Sequence, residues 1–167
     1  MILKAKIYNL KAQSGQSLIE AMVAMSIIFF GILGVYGLAA RAVSLNRVVA
    51  DRYIAIYLAS EGIELVKNMV DANILERRPW NDGLFSGAYE VEYRDQDLRL
   101  SQGRKFLFDE NNGTYNYISG KDTNFQRTIK IEVLGNGNEL KVTSLVNWLS
   151  RGGDYSVDLE DHFFNWR

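Results

Sequence analysis

Between Ala21 and Ala40 the chain carries no charged residue. This run, AMVAMSIIFFGILGVYGLAA, has the roughly 20 residues that a helix needs to cross a hydrocarbon core, so whatever the chain folds into must place it in lipid or inside an assembly. A secretory signal peptide is the competing reading. Its apolar region is about 7 to 15 residues long and ends at a small-residue cleavage site; the run here is longer, although the AARA at 39–42 keeps a weak match to such a site. Lys4, Lys6 and Lys11 precede Glu20 without an intervening acid, which favours a cytoplasmic N-terminal end. Arg41, Arg47 and Arg52 follow the run, however, so the basic residues at its two ends nearly balance and charge alone does not orient it.

Composition limits the remainder. At 167 residues and 47% hydrophobic content there is room for one domain plus an appendage. The formal net charge of -1 gives no global field to attract nucleic acid or anionic lipid. With no cysteine, neither a disulfide framework nor a thiolate metal site can form, and stability rests on packing.

Glu20 stands at the lip of the apolar run. Deep in a bilayer an acidic side chain costs about 2.5 to 3.5 kcal/mol; at the edge the cost is smaller, and taken singly the residue reads equally well as an interfacial acid. Its company is more specific: Gly15, then QSLIE, with lysines before and an uncharged helix after. Over residues 11 to about 45 the sequence resembles a type IV prepilin. In that family a short basic leader ends in glycine, a dedicated membrane peptidase cuts after it on the cytoplasmic face, and the fifth mature residue is glutamate. The resemblance implies a cut between Gly15 and Gln16, methylation of the new amine at Gln16, and Glu20 in the glutamate position. Two departures stand out. Major pilins usually begin with phenylalanine and carry a proline inside the apolar run, whereas this chain has Gln16 and no proline before Pro79. Instead Gly31, Gly34 and Gly37 recur every three residues, on roughly one helical face. They read either as a close-packing surface for neighbouring helices or as ordinary membrane-helix glycines.

The cleavage implied by the resemblance gives the carboxylate a partner. It frees an α-amino group with a reference pKa near ~8, available to Glu20 one helical turn along its own chain or on the next subunit of a fibre. An unpaired acid inside a helix bundle is costly, so pairing favours one subunit register over others. Before cleavage the Gly15–Gln16 peptide is uncharged and the partner is missing, which couples processing to assembly.

Beyond Arg41 the pattern stays helical, with Leu45, Val49, Ile56, Ala59, Ile63, Val66 and Val70 spaced three or four apart and Gly62 as a soft point. One helix from about Ser17 to about Val70, roughly 80 Å long, is expected. ERRPWNDG at 76–83 ends it. Period-two segments follow: AYEVEYR at 88–94 puts Tyr89, Val91 and Tyr93 on one side, and RTIKIEVL at 127–134 does the same with Ile129, Ile131 and Val133. Asn112-Gly113 and Gly135-Asn136-Gly137 read as hairpin turns, the second joining 127–134 to 139–148, and DYSVDLEDHFFNW adds a last strand and an aromatic tail. The expected fold is α+β: a long N-terminal helix whose first half spans a membrane, and a C-terminal antiparallel sheet of about four to six strands over its second half, the pilin plan. The expected divisions are a leader over 1–15, a transmembrane half over 16–40, an amphipathic half over 41–75 and a head over 76–167.

Catalytic chemistry is poorly supplied. His162 is the only histidine and sits in an aromatic tail, where a packed or edge-exposed ring is the default. DENNGTY at 109–115 starts like a calcium loop but fails at the glycine position and has Gly120 where the closing glutamate belongs. Asn112-Gly113-Thr114 fits a glycosylation acceptor, which a bacterial prepilin would not normally use. The pairs Asp95/Asp97 and Asp158/Glu160 read as solvated strand faces, and Arg77 with Arg78 is too small a basic patch for nucleic acid. The expectation is a structural protein without catalytic residues, cofactor or metal. The resemblance implies a minor pilin or pseudopilin in the inner membrane with its head extracytoplasmic, a subunit or initiator of a type IV pilus or type II secretion-like fibre. Its partners would be a prepilin peptidase, other pilin subunits through the N-terminal helix, and an inner-membrane assembly platform. The rival reading is a single-pass membrane-anchored binding domain that does not polymerise.

Overall fold

The computed structural model describes residues 13–150 and 152–166. The chain divides into two compact units, Met1–Asn46 and Arg47–Arg167. Helix α1, Gln13–Leu75, contributes to both and is followed by strands alone apart from one short 3₁₀ turn. The fold is α+β, a long N-terminal helix followed by antiparallel sheet, as expected and pilin-like. The helix begins four residues earlier and ends five residues later than the apolar spacing implied.

In the first unit every residue from Gly15 to Val43 is exposed, apolar side chains included. Leu18, Met25, Phe30 and Leu38 are each more than three-fifths exposed. Among the described residues nothing covers this surface, which is what a segment made for lipid or for neighbouring helices requires.

The second unit is built around a five-stranded sheet. Strands β1 (Gly87–Glu90), β2 (Arg99–Leu100), β6 (Phe125–Leu134), β7 (Glu139–Ser150) and β8 (Gly153–Phe164) run antiparallel in the order β2-β1-β6-β7-β8. Between β2 and β6 the chain makes a small second sheet, β3 (Leu107–Asp109), β4 (Thr114–Asn116) and β5 (Lys121–Asp122), in the order β4-β3-β5. Ile129 and Ile131 face the core, as the period-two reading of β6 required, and Val142 and Val146 of β7 lie beside them. The turn over Gly135–Gly137 joins β6 to β7, pairing Leu134 with Glu139, as expected. The Asn112-Gly113 turn joins β3 to β4, with Gly113 at φ 68° and the Asp109 carboxylate accepting from Asn111 N–H (2.9 Å) and Asn112 Nδ2 (2.7 Å).

Three expectations change. The helix face that meets the sheet consists of Ala55, Leu58, Ala59, Gly62, Val66, Val70 and Asn73, whereas Leu45 and Val49 are exposed. Small residues, Ala55, Ala59 and Gly62, alternate there with Leu58, Val66 and Val70. Gly62 is the closest approach: a Cβ there would lie 2.5 Å from both Ile129 Cδ1 and Ser144 Oγ and 3.1 Å from Arg127 Cδ. It is therefore a packing requirement and not a soft point. The 88–94 segment is not one strand. Pairing stops after Glu90, and the chain turns at 92–95, where Asp95 N–H donates to Glu92 O and Asp95 Oδ2 accepts from Glu92 N–H, each at 2.9 Å. Tyr93 consequently points to solvent.

Charges organise this core. Arg127 is fully buried; its Nη1 donates to Leu58 O (2.6 Å) and Glu61 Oε2 (2.9 Å), and its Nη2 donates to Val91 O (2.6 Å). The guanidinium also lies 4.9 Å from the centre of the Phe106 ring. Glu90, equally buried, accepts through Oε1 from the N–H groups of Gln102 (2.8 Å) and Arg104 (2.9 Å) and through Oε2 from Arg104 Nε (2.8 Å). Burial pushes its carboxyl up, but these donors outweigh burial and hold it below the usual carboxylate range. Glu92 accepts from Tyr117 N–H (2.8 Å), fixing the strand that precedes β5.

The helix ends before Pro79 through its own backbone. Arg78 N–H donates to Asn73 O (2.8 Å) and Arg77 N–H to Ile74 O (3.2 Å), with Arg77 left-handed at φ 58°. This is the Schellman arrangement with arginine where glycine is usual. Asn73 Nδ2 closes the exit by donating to Asp82 O at 2.9 Å.

Two substitutions test this packing. Gly62→Ala raises helix propensity by up to ~1 kcal/mol yet pushes into Ile129 and Ser144, and overpacking of this kind costs about 1–3 kcal/mol; net destabilisation is expected in thermal unfolding of the full chain in micelles. Arg77→Gly removes the left-handed penalty of an L-residue and should stabilise by about 1 kcal/mol in the same assay.

Candidate functional site

The residues singled out in the sequence for processing and assembly lie in the first unit, all on α1. The expected leader is described only from residue 13 onward; residues 1–12, with Lys4, Lys6 and Lys11, lie outside the described residues. Gly15 and Gln16 are exposed and helical, so the peptide bond between them is already within the helix. Gln16 and Glu20 are four residues apart on it, which puts them one above the other on one face, about 6 Å apart along the axis. Glu20 is exposed and makes no hydrogen bond or ion pair with a described residue. Ser26, the polar residue inside the apolar run, satisfies its hydroxyl by donating to Met22 O at 2.8 Å. The apolar surface is thus unbroken by an unmet polar group at that point.

Gly31, Gly34 and Gly37 fall on successive turns, and a Cβ built at any of them would meet nothing within 4 Å. Among the described residues there is no steric reason for glycine at these positions. α1 is the one helix among the described residues long and apolar enough to cross a membrane.

The other candidates fall in the second unit and do not gather into a catalytic group. His162 lies on the exposed face of β8, its Nδ1 2.6 Å from Glu139 Oε1 and its Nε2 3.2 Å from Glu160 Oε1, while Lys141 pairs with Glu160 at 2.9 Å. Asp95 pairs with Arg99 and closes the 92–95 turn. Asp158 and Glu160 sit on the exposed face of β8. Arg78 bridges Glu76 (2.8 Å) and Asp82 (3.5 Å), a local surface network at the helix exit. Arg127, Glu90 and Glu92 were not singled out as charges of interest. Parity was the available signal for the first: Arg127 occupies the same strand face as Ile129 and Ile131.

The molecule is an α+β protein of the pilin-like plan, with one exposed, apolar N-terminal helix able to anchor it in a membrane. Residues 10–36 match the family model of the prokaryotic N-terminal methylation motif. The chain is thereby type IV prepilin-like, and such a motif implies processing by a prepilin peptidase and assembly with other pilin subunits. It points to a structural, membrane-anchored protein. No curated protein and no solved structure matches the chain.

The hydrogen bond to Glu139, and after it that to Glu160, raises the His162 pKa above its ordinary value. A raised folded-state pKa means that the charged ring stabilises the β7–β8 pair below the unfolded value of about 6.5, and that this contribution is lost as pH rises through the folded value. The imidazole titration followed by NMR should therefore have its midpoint above about 6.5, and Glu139→Gln should lower that midpoint.

Proposed function

We propose that the protein is a minor pilin or pseudopilin: a subunit or assembly initiator of a pilus-like or secretion-type fibre, held in the inner membrane by α1 with its head extracytoplasmic. On this reading the peptidase cuts between Gly15 and Gln16 and the new amine at Gln16 becomes methylated, remaining a cation. Glu20 pairs with that cation, on its own chain or on the neighbouring subunit. Gly31, Gly34 and Gly37 let neighbouring helices approach, since small residues permit close backbone contact between helices in lipid. The protein has no catalytic role.

The observation that carries this reading is the methylation-motif match together with a carboxylate, without a partner among the described residues, one turn from Gln16. The three glycines are compatible with it: a Cβ at any of them would meet nothing within 4 Å among the described residues, which leaves that face open to a neighbouring helix. The Gly15–Gln16 bond is held in helix, so cleavage requires local unwinding; glycine, worth about 1 kcal/mol less than alanine in a helix interior, eases it.

Co-expression with a prepilin peptidase should remove the mass of residues 1–15, as read by intact-mass spectrometry of the extracted protein. An anchored domain that does not polymerise would keep that mass. Glu20→Ala should be trimmed to a comparable extent while failing to enter fibres beside wild-type subunits; incorporation at the wild-type level would remove the pairing role from Glu20.

A further inference from the structure

The two edges of the five-stranded sheet differ. β2, at one, is 2 residues long, whereas β8, at the other, runs for 12 residues without a lysine, an arginine or a proline. Sheets blunt their edges by brevity, by charge, by proline or by a covering element. Among the described residues β8 uses charge alone, and of one sign: Asp154, Asp158, Glu160 and Asp161. Asn165 N–H donates to Asn138 O (3.0 Å), which sets the phase of the β7–β8 ladder. Odd-numbered residues of β8 bond to β7, and even-numbered ones turn their N–H and C=O groups away from it. At His162 the outward N–H is taken by Asp161 Oδ1 (2.8 Å). From Asp154 to Glu160, a length of roughly 23 Å, the outward N–H groups of Asp154, Ser156, Asp158 and Glu160 have no acceptor among the described residues.

The side chains beside these groups specify what can pair there. On the outer face Asp154 and Asp158 make no hydrogen bond or ion pair with a described residue, while Glu160 is met by Lys141 (2.9 Å). On the opposite face Tyr155, Val157 and Leu159 are half-buried at the margin of the core around Phe125 and Trp148. A further strand would continue both faces. Its residues alongside Tyr155, Val157 and Leu159 gain from being apolar, and those alongside Asp154 and Asp158 gain from being basic. A second copy presenting the same edge fails the second condition: it brings acids and no lysine or arginine, and like charges across a strand pair are destabilising. We propose that the β8 edge from Asp154 to Glu160 docks an extended segment of another protein in which lysine or arginine alternates with apolar residues, held by main-chain hydrogen bonds as an added strand. This inference goes beyond the prepilin reading and does not rest on it.

The test is amide hydrogen exchange, read by ¹⁵N NMR on the full chain in dodecylphosphocholine micelles, whose headgroup has no net charge. The probe is acetyl-Lys-Val-Thr-Val-Lys-Val-Thr-amide at about 5 mM, where a site of mM affinity is mostly filled. In the free chain the N–H groups of Ser156, Asp158 and Glu160 should exchange faster than those of Tyr155, Val157 and Leu159. The peptide should slow the first three about fivefold, and its twin with glutamate in place of lysine should not. Asp154→Asn/Asp158→Asn keeps the backbone and should cut the slowing to about twofold. Ser156→Pro removes an outward donor that no bond in the fold uses, a position where an edge strand accepts proline, and should abolish the slowing at Asp158 and Glu160. The proposal is overturned if the basic peptide leaves exchange unchanged, if the acidic twin slows it equally, or if the double asparagine variant responds as the wild type does. It is also overturned if these amides slow in the free chain as protein concentration rises, which would give the edge to a second copy.

Discussion

The head depends on a guanidinium with no access to water. Moving a charge of that kind out of water costs several kcal/mol, and it is tolerated only where its donors are met with good geometry. Arg127 meets that condition at both terminal nitrogens, through the Leu58 carbonyl, the Glu61 carboxylate and the Val91 carbonyl, while its Nε has no acceptor among the described residues, so the outer part of the helix, strand β6 and the segment after β1 are joined at one point. The Leu58 carbonyl can be reached because Gly62, one turn on, has no side chain; a Cβ there would stand 3.1 Å from Arg127 Cδ. Glycine and arginine therefore act as one device. Slipping β6 by a residue would turn Arg127 to solvent and break its bonds to Leu58, Glu61 and Val91 together, which adds to the register preference set by apolar alternation.

The small sheet is held by the same logic with opposite sign. Glu90 and Glu92 are buried carboxylates that accept main-chain N–H groups of Gln102, Arg104 and Tyr117. The Tyr117 ring is in turn enclosed, stacked on Phe106 at 4.6 Å with the Arg104 guanidinium 4.6 Å from its centre. Burial pushes the Tyr117 hydroxyl pKa well up. Loop segments that cannot pair as a regular sheet are thus ordered by acids on the last residues of the first strand and just beyond it.

This explains which parts of the fold were legible in the sequence. Strands β6 and β7 and the turn at 135–137 were, because one face is buried and periodicity two follows directly from that. The second half of the helix was legible as a helix under the sheet, and Ala59, Val66 and Val70 of its apolar stripe are buried there; the pattern did not show that Ala55 and Gly62 share the contact while Leu45 and Val49 lie outside it. The 88–94 segment was misleading because Glu90 and Glu92 looked like the solvated half of an alternating strand. Both are buried, their charges answered by donors far along the chain that no local pattern announces. The N-terminal segment was legible in most detail, since a bilayer excludes charge along a fixed length and a single acid at its margin is conspicuous.

The two halves of the chain treat charge in contrasting ways. In the head, every strongly buried charge finds its counterpart within the chain, Arg127 with Glu61 and Glu90 with Arg104, at fixed distances and irrespective of any other molecule. Glu20 has no counterpart among the described residues, on a segment whose apolar surface is likewise uncovered. A residue balanced internally stabilises a fold, whereas one left unbalanced at the edge of a low-dielectric region favours whichever arrangement supplies the missing charge. Under the proposed reading that charge is the amine created at Gln16, and its late appearance is the useful property: the uncut chain can sit in the membrane as a monomer, and the preference for a fibre register arises only once the leader is gone.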